Sequence, residues 1–424
     1  MEFIMKLLTQ FYHKFSGTKF VNWLAEIYRN GNFISNYVAY IKMKNLSKNR
    51  TACHRPIRVV FLGQAPGSWM KIRSIFDGML EDERYEPLIL AIPEDIQNIS
   101  MKVYEYFRGI YGNAVINAYC ENTWRSLKDL NPDYVFYQEP YDNYLPPVYQ
   151  SGTVVKYVKT LYVPYGFVLW DKVKSISMSK IFFRNVYCYF AENRLNLEYN
   201  VARLKKSHQM GYQKSLNIGY PIFETFMKRK PLSDNSQESK VVLWTPRWSE
   251  DVGGSNFFNY KDEVIKLPQK YSDLKIIFRP HPLLIDHFIE TGRITVEEAK
   301  IYLQNFKNND TLEYDTSNDY MGMFWNVDIL LTDVSSIIVE FFLTGKPIIY
   351  CDTGVIPDAF FAEVIKGMYV VDNWVEAEKK LDELLQGNDP LKQKREELKK
   401  TLFGDDLYNI TSNILNEIYK DAMS

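Results

Sequence analysis

Residues 328–352 read DILLTDVSSIIVEFFLTGKPIIYCD and contain a complete strand–helix–strand pattern. An apolar run ends at Thr332, three polar residues that can cap a helix follow (Asp333, Ser335 and Ser336), and a second apolar run comes after the helical stretch. The turn should place two hydroxyls and unpaired backbone N–H groups at a helix N-terminus, at the carboxyl end of a parallel strand. This arrangement predicts an anion site, most plainly for phosphate, with Asp333, Ser335 and Ser336 as candidate binding residues; the alternative is that Ser335 only caps its own helix.

Alternating strand and helix patterns extend in both directions from this unit, and a polar, unpatterned stretch at residues 228–240 divides them into two halves. The alternation predicts an α/β fold with two Rossmann-like, doubly wound domains that face a cleft. We place an amphipathic helical extension at residues 1–54, the first domain at 55–230, the second at 238–405 and a C-terminal helix at 406–424. The last helix is expected to return to the first domain.

The N-terminal fifty residues differ in charge from the rest of the chain. They carry eight Lys and Arg against two acidic residues, whereas the whole chain of 424 residues has a net charge of −1. Aromatic and aliphatic residues on one face predict helices that either lie on an acidic membrane surface or pack on the next domain. The overall charge does not favour a nucleic-acid partner.

The sequence also bears on the compartment. It contains no apolar run near the roughly 20 residues that span a bilayer, and no signal-peptide core. The four cysteines lack the spacing of a zinc site or a disulfide framework, and no acidic metal motif stands out. We expect a cytoplasmic protein, or one peripheral on the inner face of the plasma membrane, with no required cofactor; whether a divalent metal takes part is left open.

Two further strand ends in the second domain carry basic residues. Arg247 follows the first predicted strand of this domain, and Arg279 and His281 follow the second. The carboxyl ends of parallel strands share one edge, so these side chains should meet Ser335 and Ser336 and together bind a pyrophosphate. The alternatives are local: Arg247 could pair with Glu250 or Asp251, and His281 could cap the next helix.

Three carboxylates complete the list of candidates. Glu139 and Asp142 lie in a proline-rich loop after a first-domain strand, where reactive groups are common; the alternatives are an Asx-turn for Asp142 and a solvated Glu139. Glu340, about two turns along the helix from Asp333, could accept hydrogen bonds from a ribose. A buried glutamate paired with a lysine is the alternative reading.

The second half resembles a known family. The motifs are Gly219-Tyr220-Pro221, Trp244-Thr245-Pro246-Arg247-Trp248, Arg279-Pro280-His281-Pro282, Thr332-Asp333-Val334-Ser335-Ser336 and Lys346-Pro347-Ile348-Ile349-Tyr350. In this order they are similar to the CDP-glycerol glycerophosphotransferase family, GT-B-fold enzymes of teichoic acid and capsule synthesis. The resemblance implies that Arg279, His281, Ser335 and Ser336 hold the pyrophosphate of a CDP-linked donor.

Two departures from the family pattern stand out. The family usually carries a second histidine in a His-Gly-Thr motif of the first domain, which this sequence lacks, and the corresponding region looks like residues 138–142, QEPYD. The family's Pro-Thr-Trp-Arg is also permuted here to Thr-Pro-Arg-Trp. Both departures affect what can be carried over, above all for the acceptor side of the reaction.

The leading hypothesis is a transferase that moves an alditol phosphate from a CDP-activated donor to a cell-surface glycan or lipid-linked acceptor, with Glu139 or Asp142 as general base. One alternative is a nucleotide-sugar glycosyltransferase for capsule or lipopolysaccharide. The other is an inactive family member that binds nucleotide or glycan.

Overall fold

The computed structural model describes residues 36–43, 55–170, 181–231, 239–250, 254–307, 309–317, 320–404 and 406–424. The predicted amphipathic helices before residue 36, Asp251 and most of the predicted linker lie outside the described residues. Within the described ranges, no helix combines the length and the apolar character needed to cross a membrane.

The first domain is built on a seven-stranded parallel sheet with the strand order β3-β2-β1-β6-β7-β8-β9. Strands β4 and β5 form a separate antiparallel hairpin. The strands are β1 (Ile57–Gly63), β2 (Tyr85–Ala91), β3 (Val115–Asn117), β4 (Tyr119–Cys120), β5 (Thr123–Trp124), β6 (Tyr134–Tyr137), β7 (Lys159–Tyr162), β8 (Cys188–Phe190) and β9 (Lys214–Leu216).

The second domain contains a six-stranded parallel sheet with the order β12-β11-β10-β13-β14-β15. Its strands are β10 (Lys240–Thr245), β11 (Leu274–Phe278), β12 (Leu312–Tyr314), β13 (Ile329–Thr332), β14 (Ile348–Cys351) and β15 (Tyr369–Val371). The chain turns back at β10 in this sheet and at β1 in the first, as in doubly wound folds. The predicted fold class is confirmed.

Helices cover both sheets. The described α-helices before the second sheet are 36–43, in the predicted N-terminal extension, and Arg73–Leu80, Lys102–Tyr111, Ser151–Val154, Phe182–Asn185, Arg194–Arg203, Lys205–Gln209 and Pro221–Lys228. Those that follow are Phe257–Val264, Leu267–Lys270, Leu284–Glu290, Val296–Gln304, Met321–Asn326, Ile337–Phe342, Ala359–Ile365, Trp374–Leu385, Lys392–Phe403 and Ile410–Met423. Short 3-10 helices occur at Pro66–Lys71, Gly112–Ala114, Leu127–Leu130 and Asp142–Tyr144.

The C-terminal helix, Ile410–Met423, returns to the first domain. Its Asp421 is held beside the first sheet by Lys159 at 2.7 Å and by the hydroxyls of Tyr134, at 2.6 Å, and Tyr187. Burial alone would raise the pKa of Asp421, but the charge of Lys159 and the hydrogen bonds from Lys159, Lys214 and Tyr134 lower it to about 2. The helix therefore ties the end of the chain to the domain that began it.

The two domains share apolar contacts as well as polar ones. Phe167, which follows β7, stacks on Phe360 of the second domain with ring centroids 5.4 Å apart. Two residues later the carbonyl of Leu169 accepts a hydrogen bond from the Asp358 N–H at 2.8 Å. The segment after β7 thus runs from the carboxyl end of an interior strand of the first sheet to the second domain.

Candidate functional site

Three neighbouring strands of the second sheet deliver the predicted phosphate-binding residues. β11, β10 and β13 lie side by side and parallel, so their carboxyl ends meet at one edge. There the Thr245 hydroxyl donates to the Thr332 hydroxyl at 2.6 Å, and both side chains are buried. This contact holds together the ends of β10 and β13, from which the loops with Arg247 and with Ser335 begin.

Asp333 lies beneath these loops. Its Oδ2 accepts the N–H of Arg247 at 3.1 Å and the N–H of Asn256 at 3.0 Å. Burial raises the pKa of Asp333 to about 6, although these hydrogen bonds and the Arg247 charge act against the shift. Because its carboxylate oxygen accepts backbone N–H groups, Asp333 stabilises the loop that carries Arg247. Its predicted contact with a ligand stays a prediction.

Arg247 is the central cation of the edge. Its guanidinium lies 4.3 Å from the ring centroid of Trp170, a first-domain residue, and its Nη1 donates to the Val334 carbonyl at 3.4 Å. Burial lowers the pKa of Arg247 to about 10, with Asp333 opposing the shift. Among the described residues, Glu250 pairs instead with Arg293 at 2.9 Å, so that predicted alternative partner of Arg247 is engaged elsewhere.

His281 stands next to Arg247. Its Nδ1 accepts the N–H of Leu283 at 3.2 Å, so the neutral ring carries its proton on Nε2. Burial, and then the positive charge of Arg247, lowers the pKa of His281 to about 4. His281 thus caps the turn that follows it, which was the local alternative to a phosphate-binding role. At neutral pH it still has an Nε2–H that can donate to an anion.

Arg279 points toward different partners. It forms an ion pair with Asp315, and its guanidinium lies 4.9 Å from the ring centroid of Tyr320. The structure thus brings Arg247 and His281 together, whereas Arg279 is held by a carboxylate at the neighbouring strand end.

Ser335 and Ser336 precede the helix Ile337–Phe342, and Ser336 is exposed. The Ser335 hydroxyl accepts a long hydrogen bond, 3.5 Å, from the Ile337 N–H. Ser335 therefore caps its helix only weakly, and both hydroxyls stay near the same edge as Arg247.

Glu340 connects the domains. Its carboxylate accepts from Lys71 of the first domain and from the Tyr320 hydroxyl, and the side chain is only 2% exposed. Lys71 also lies 3.3 Å from the Tyr320 hydroxyl. These contacts match the alternative reading of Glu340, a buried glutamate paired with a lysine; a role in binding ribose stays a prediction.

The first-domain carboxylates differ in what surrounds them. Glu139 is half-buried, its Oε1 accepts from the Ser68 hydroxyl at 2.9 Å, and burial raises its pKa although that bond acts in the opposite direction. Asp142 accepts from the N–H of Ser151 at 2.7 Å and from its hydroxyl at 2.6 Å. Asp142 is thus occupied in holding the start of a helix, and Glu139 keeps more freedom to act on a ligand.

Two tyrosines complete the surroundings of Glu139. The hydroxyls of Tyr141 and Tyr165 hydrogen-bond each other, with ring centroids 5.6 Å apart. Burial raises the pKa of Tyr141, and the neighbouring charge of Glu139 adds to the rise. Burial and the charge of Glu139 also raise the pKa of Tyr165, although the hydrogen bond with Tyr141 acts in the opposite direction. Both phenols thus stay protonated, and one of the two O–H groups donates to the other phenol oxygen.

Sequence reasoning missed four residues of this region: Ser68, Lys71, Trp170 and Tyr320. Ser68 lies in the turn GQAPGS (residues 63–68) after the first strand, and Lys71 lies just beyond it, so this turn was the signal that the sequence offered. Trp170 and Tyr320 carry no motif, because their roles depend on contacts with the other domain or with a distant strand end. Among the described residues, no group of three His, Cys, Asp or Glu side chains is placed to hold a metal ion.

Comparison with known proteins supports the resemblance. Residues 196–369 match the model of the family described as CDP-Glycerol:Poly(glycerophosphate) glycerophosphotransferase. The teichoic acid glycerol-phosphate primase of Bacillus subtilis (strain 168) is 23% identical over 180 residues, 40% of this chain and 41% of that protein. The teichoic acid poly(glycerol phosphate) polymerase of Bacillus spizizenii is 23% identical over 150 residues, 34% of each chain. The matches thus span about two fifths and one third of these relatives.

Solved structures are similar in fold. The wall teichoic acid polymerase TagF, in an H548A variant, superposes with a TM-score of 0.56 at 15% identity, covering 94% of this chain and 98% of that one. UDP-GlcNAc 2-epimerase from Neisseria meningitidis, bound to UDP-GlcNAc, gives 0.54 at 12% identity, covering 86% and 100%. The GT-B-like arrangement of two Rossmann-like domains is therefore confirmed. The family match is confined to residues 196–369, so this part of the chain is similar to the CDP-glycerol:poly(glycerophosphate) glycerophosphotransferase family.

Proposed function

We propose that the protein is a transferase that moves glycerol phosphate, or a related alditol phosphate, from a CDP-linked donor to a glycan or lipid-linked acceptor in teichoic acid or capsule-type polymer synthesis. The family match and the two teichoic acid relatives support this reading. The observation that carries it is the Arg247–His281 pair, where a buried guanidinium and a neutral imidazole N–H lie at the carboxyl edge of a parallel sheet. A pyrophosphate suits that pair.

In this mechanism the acceptor hydroxyl attacks the phosphorus bearing the glycerol, a phosphodiester forms, and the bond to CMP breaks. Glu139 takes the hydroxyl proton, and its raised pKa suits a general base. Arg247, the His281 Nε2–H and the serines at residues 335 and 336 stabilise the charge on the phosphates, which is most of what phosphoryl transfer requires of a protein.

A lipid-linked acceptor would bring the chain to a membrane. The excess of Lys and Arg in the first fifty residues supports an acidic lipid surface as neighbour of that segment. Binding to vesicles of anionic lipid that falls as salt rises would agree with this; equal binding to neutral vesicles would argue against it.

The direct test compares wild type with His281→Ala in a thermal-shift panel of CMP, CDP, CDP-glycerol, CDP-ribitol, UDP and GDP. A ligand at a hundred times its dissociation constant adds about 2.7 kcal/mol of stability, so binding is visible. We expect cytidine nucleotides to stabilise the wild type and to lose that effect in the variant. His281→Ala should also lower the turnover rate by far more than threefold. A threefold change corresponds to less than about 1 kcal/mol of activation barrier, so a loss that small would contradict the assigned role. A response to UDP or GDP alone would point to a glycosyltransferase, which releases no CMP.

A further inference from the structure

The segment that follows β7 extends beyond the first domain. Phe167 stacks on Phe360, Leu169 accepts from the Asp358 N–H, and Trp170 pairs with Pro357 in an isolated bridge. Trp170 is therefore a first-domain residue that lies against the second domain, at the end of a four-residue segment that makes three contacts with it. Its ring lies 4.3 Å from the guanidinium carbon of Arg247, the cation assigned above to the donor phosphates.

The indole of Trp170 has a donor without an acceptor. Its Nε1–H is buried and has no hydrogen-bond partner among the described residues. A buried N–H without a partner is costly, and such groups in folded proteins usually have a reason. Stacking against a guanidinium occupies the face of the ring and leaves the N–H, which lies in the ring plane, unmatched. Tryptophan can only donate here, so the missing partner must be an acceptor.

The neighbours indicate the kind of acceptor. Arg247 is desolvated, and His281 next to it is neutral with its proton on Nε2. A third donor beside these two completes a set that suits the oxygens of a phosphate. Building on the proposed function, we propose that the Trp170 Nε1–H donates to a phosphate oxygen of the nucleotide-linked donor, so that the donor site is complete only when both domains contribute to it.

The test separates the N–H from the ring. Trp170→Phe keeps an aromatic face for Arg247 and removes the donor, whereas Trp170→Leu removes both. The matched control is Trp124→Phe, in a half-buried tryptophan of the same domain that contacts Tyr119 and Tyr149. Affinity for CDP-glycerol, and for inorganic pyrophosphate as the probe without nucleoside or glycerol, is measured by calorimetry on the full chain.

We expect Trp170→Phe to weaken both ligands by about tenfold or more, the value of a hydrogen bond to a charged group. Trp170→Leu should weaken them by roughly a further threefold through loss of the cation–π contact. The melting temperature of the ligand-free Trp170→Phe protein should not fall below that of Trp124→Phe, because the change removes an unsatisfied donor. A purely structural role predicts the opposite: a lower melting temperature with unchanged affinity.

The outcomes distinguish failure of the Trp170 inference from failure of the proposed function. If the wild type binds CDP-glycerol and His281→Ala loses it while Trp170→Phe keeps wild-type affinity, the role of Trp170 is refuted and the proposed function stands. If Trp170→Phe weakens CDP-glycerol but leaves pyrophosphate unchanged, the N–H does not contact phosphate, and the inference is again refuted. If the wild type binds no CDP-linked ligand, the proposed function and the inference fall together.

Discussion

Replacing Lys71 with methionine removes the charge that pairs with Glu340 across the domains. The two side chains are 12% and 2% exposed, so the pair is buried on both sides. Breaking a buried pair by removing one partner leaves the other charge uncompensated, which costs about 3 to 5 kcal/mol. The Tyr320 hydroxyl still donates to Glu340 and offsets about 1 kcal/mol of that cost. We therefore expect Lys71→Met to lower the free energy of unfolding by about 2 to 4 kcal/mol.

The assay is equilibrium unfolding in urea, read by tryptophan fluorescence, for Lys71→Met, Glu340→Gln and the double variant. The double variant should recover at least half of the loss, because it carries no unpaired buried charge. If both single variants stay within about 1 kcal/mol of wild type and their effects add, the pair does not hold the domains together. Donor affinity of Glu340→Gln then tests the other role: a ribose ligand predicts weaker binding with unchanged stability.

The pH dependence of this pair has a definite sign. Burial alone would lower the pKa of Lys71, but the charge of Glu340, the nearby Tyr220 and the hydrogen bond to Glu340 together raise it above its usual value. A lysine with a raised pKa stabilises the fold fully below its unfolded pKa near 10.5 and loses that contribution as pH rises further. The difference between wild type and Lys71→Met should therefore be constant from pH 6 to 9 and shrink only in strong base.

Further predictions concern the base, the last helix and one turn. Glu139→Gln should lower turnover by about a hundredfold or more while donor affinity is kept. It should also remove the acid limb of the pH–rate profile, which in the wild type should lie above pH 4.5. Asp142→Asn should cost about 1 kcal/mol of stability and leave most of the turnover. In urea unfolding, Asp421→Asn should cost about 3 to 5 kcal/mol, and the wild type should lose stability as pH falls from 4 toward 2, because the pKa of Asp421 is depressed to about 2. Gly219→Ala should lower the melting temperature, because its φ is +113° and a Cβ would lie 2.8 Å from an Ile410 side-chain carbon.

Two strands of the first sheet, β7 and β9, show where a local sequence pattern fails to predict a strand. β7 begins with Lys159 and β9 with Lys214, both atypical of a strand in a parallel sheet. Lys159 is 5% exposed because Asp421, in the last helix, pairs with it. The residue that makes a buried lysine acceptable lies 262 positions away, so no window along the chain contains the reason.

The edge of the second sheet was more predictable than its individual contacts. Arg247, His281 and Ser335 were expected at one edge because parallel strands align their carboxyl ends, and the sheet order places β11, β10 and β13 side by side. Arg279 was also expected there; in the structure it forms an ion pair with Asp315, which follows the next strand, β12, and its contact with the donor stays a prediction. The sequence identifies which side chains reach this edge of the sheet. Which of them pair with one another depends on the order of the strands in the sheet.

The contacts between domains link the two halves of the site in a way that neither half shows alone. Ser68 and Lys71 lie three residues apart on the 3-10 helix Pro66–Lys71. Ser68 donates to Glu139, the proposed base, while Lys71 pairs with Glu340 on the donor side. Because a short helix moves as a unit, a shift between the domains that separates Lys71 from Glu340 also displaces the donor that orients Glu139. The 3-10 helix Pro66–Lys71 therefore links the position of the base to the contact between the domains, and a variant that weakens the Lys71 pair should lower turnover more than it lowers donor affinity.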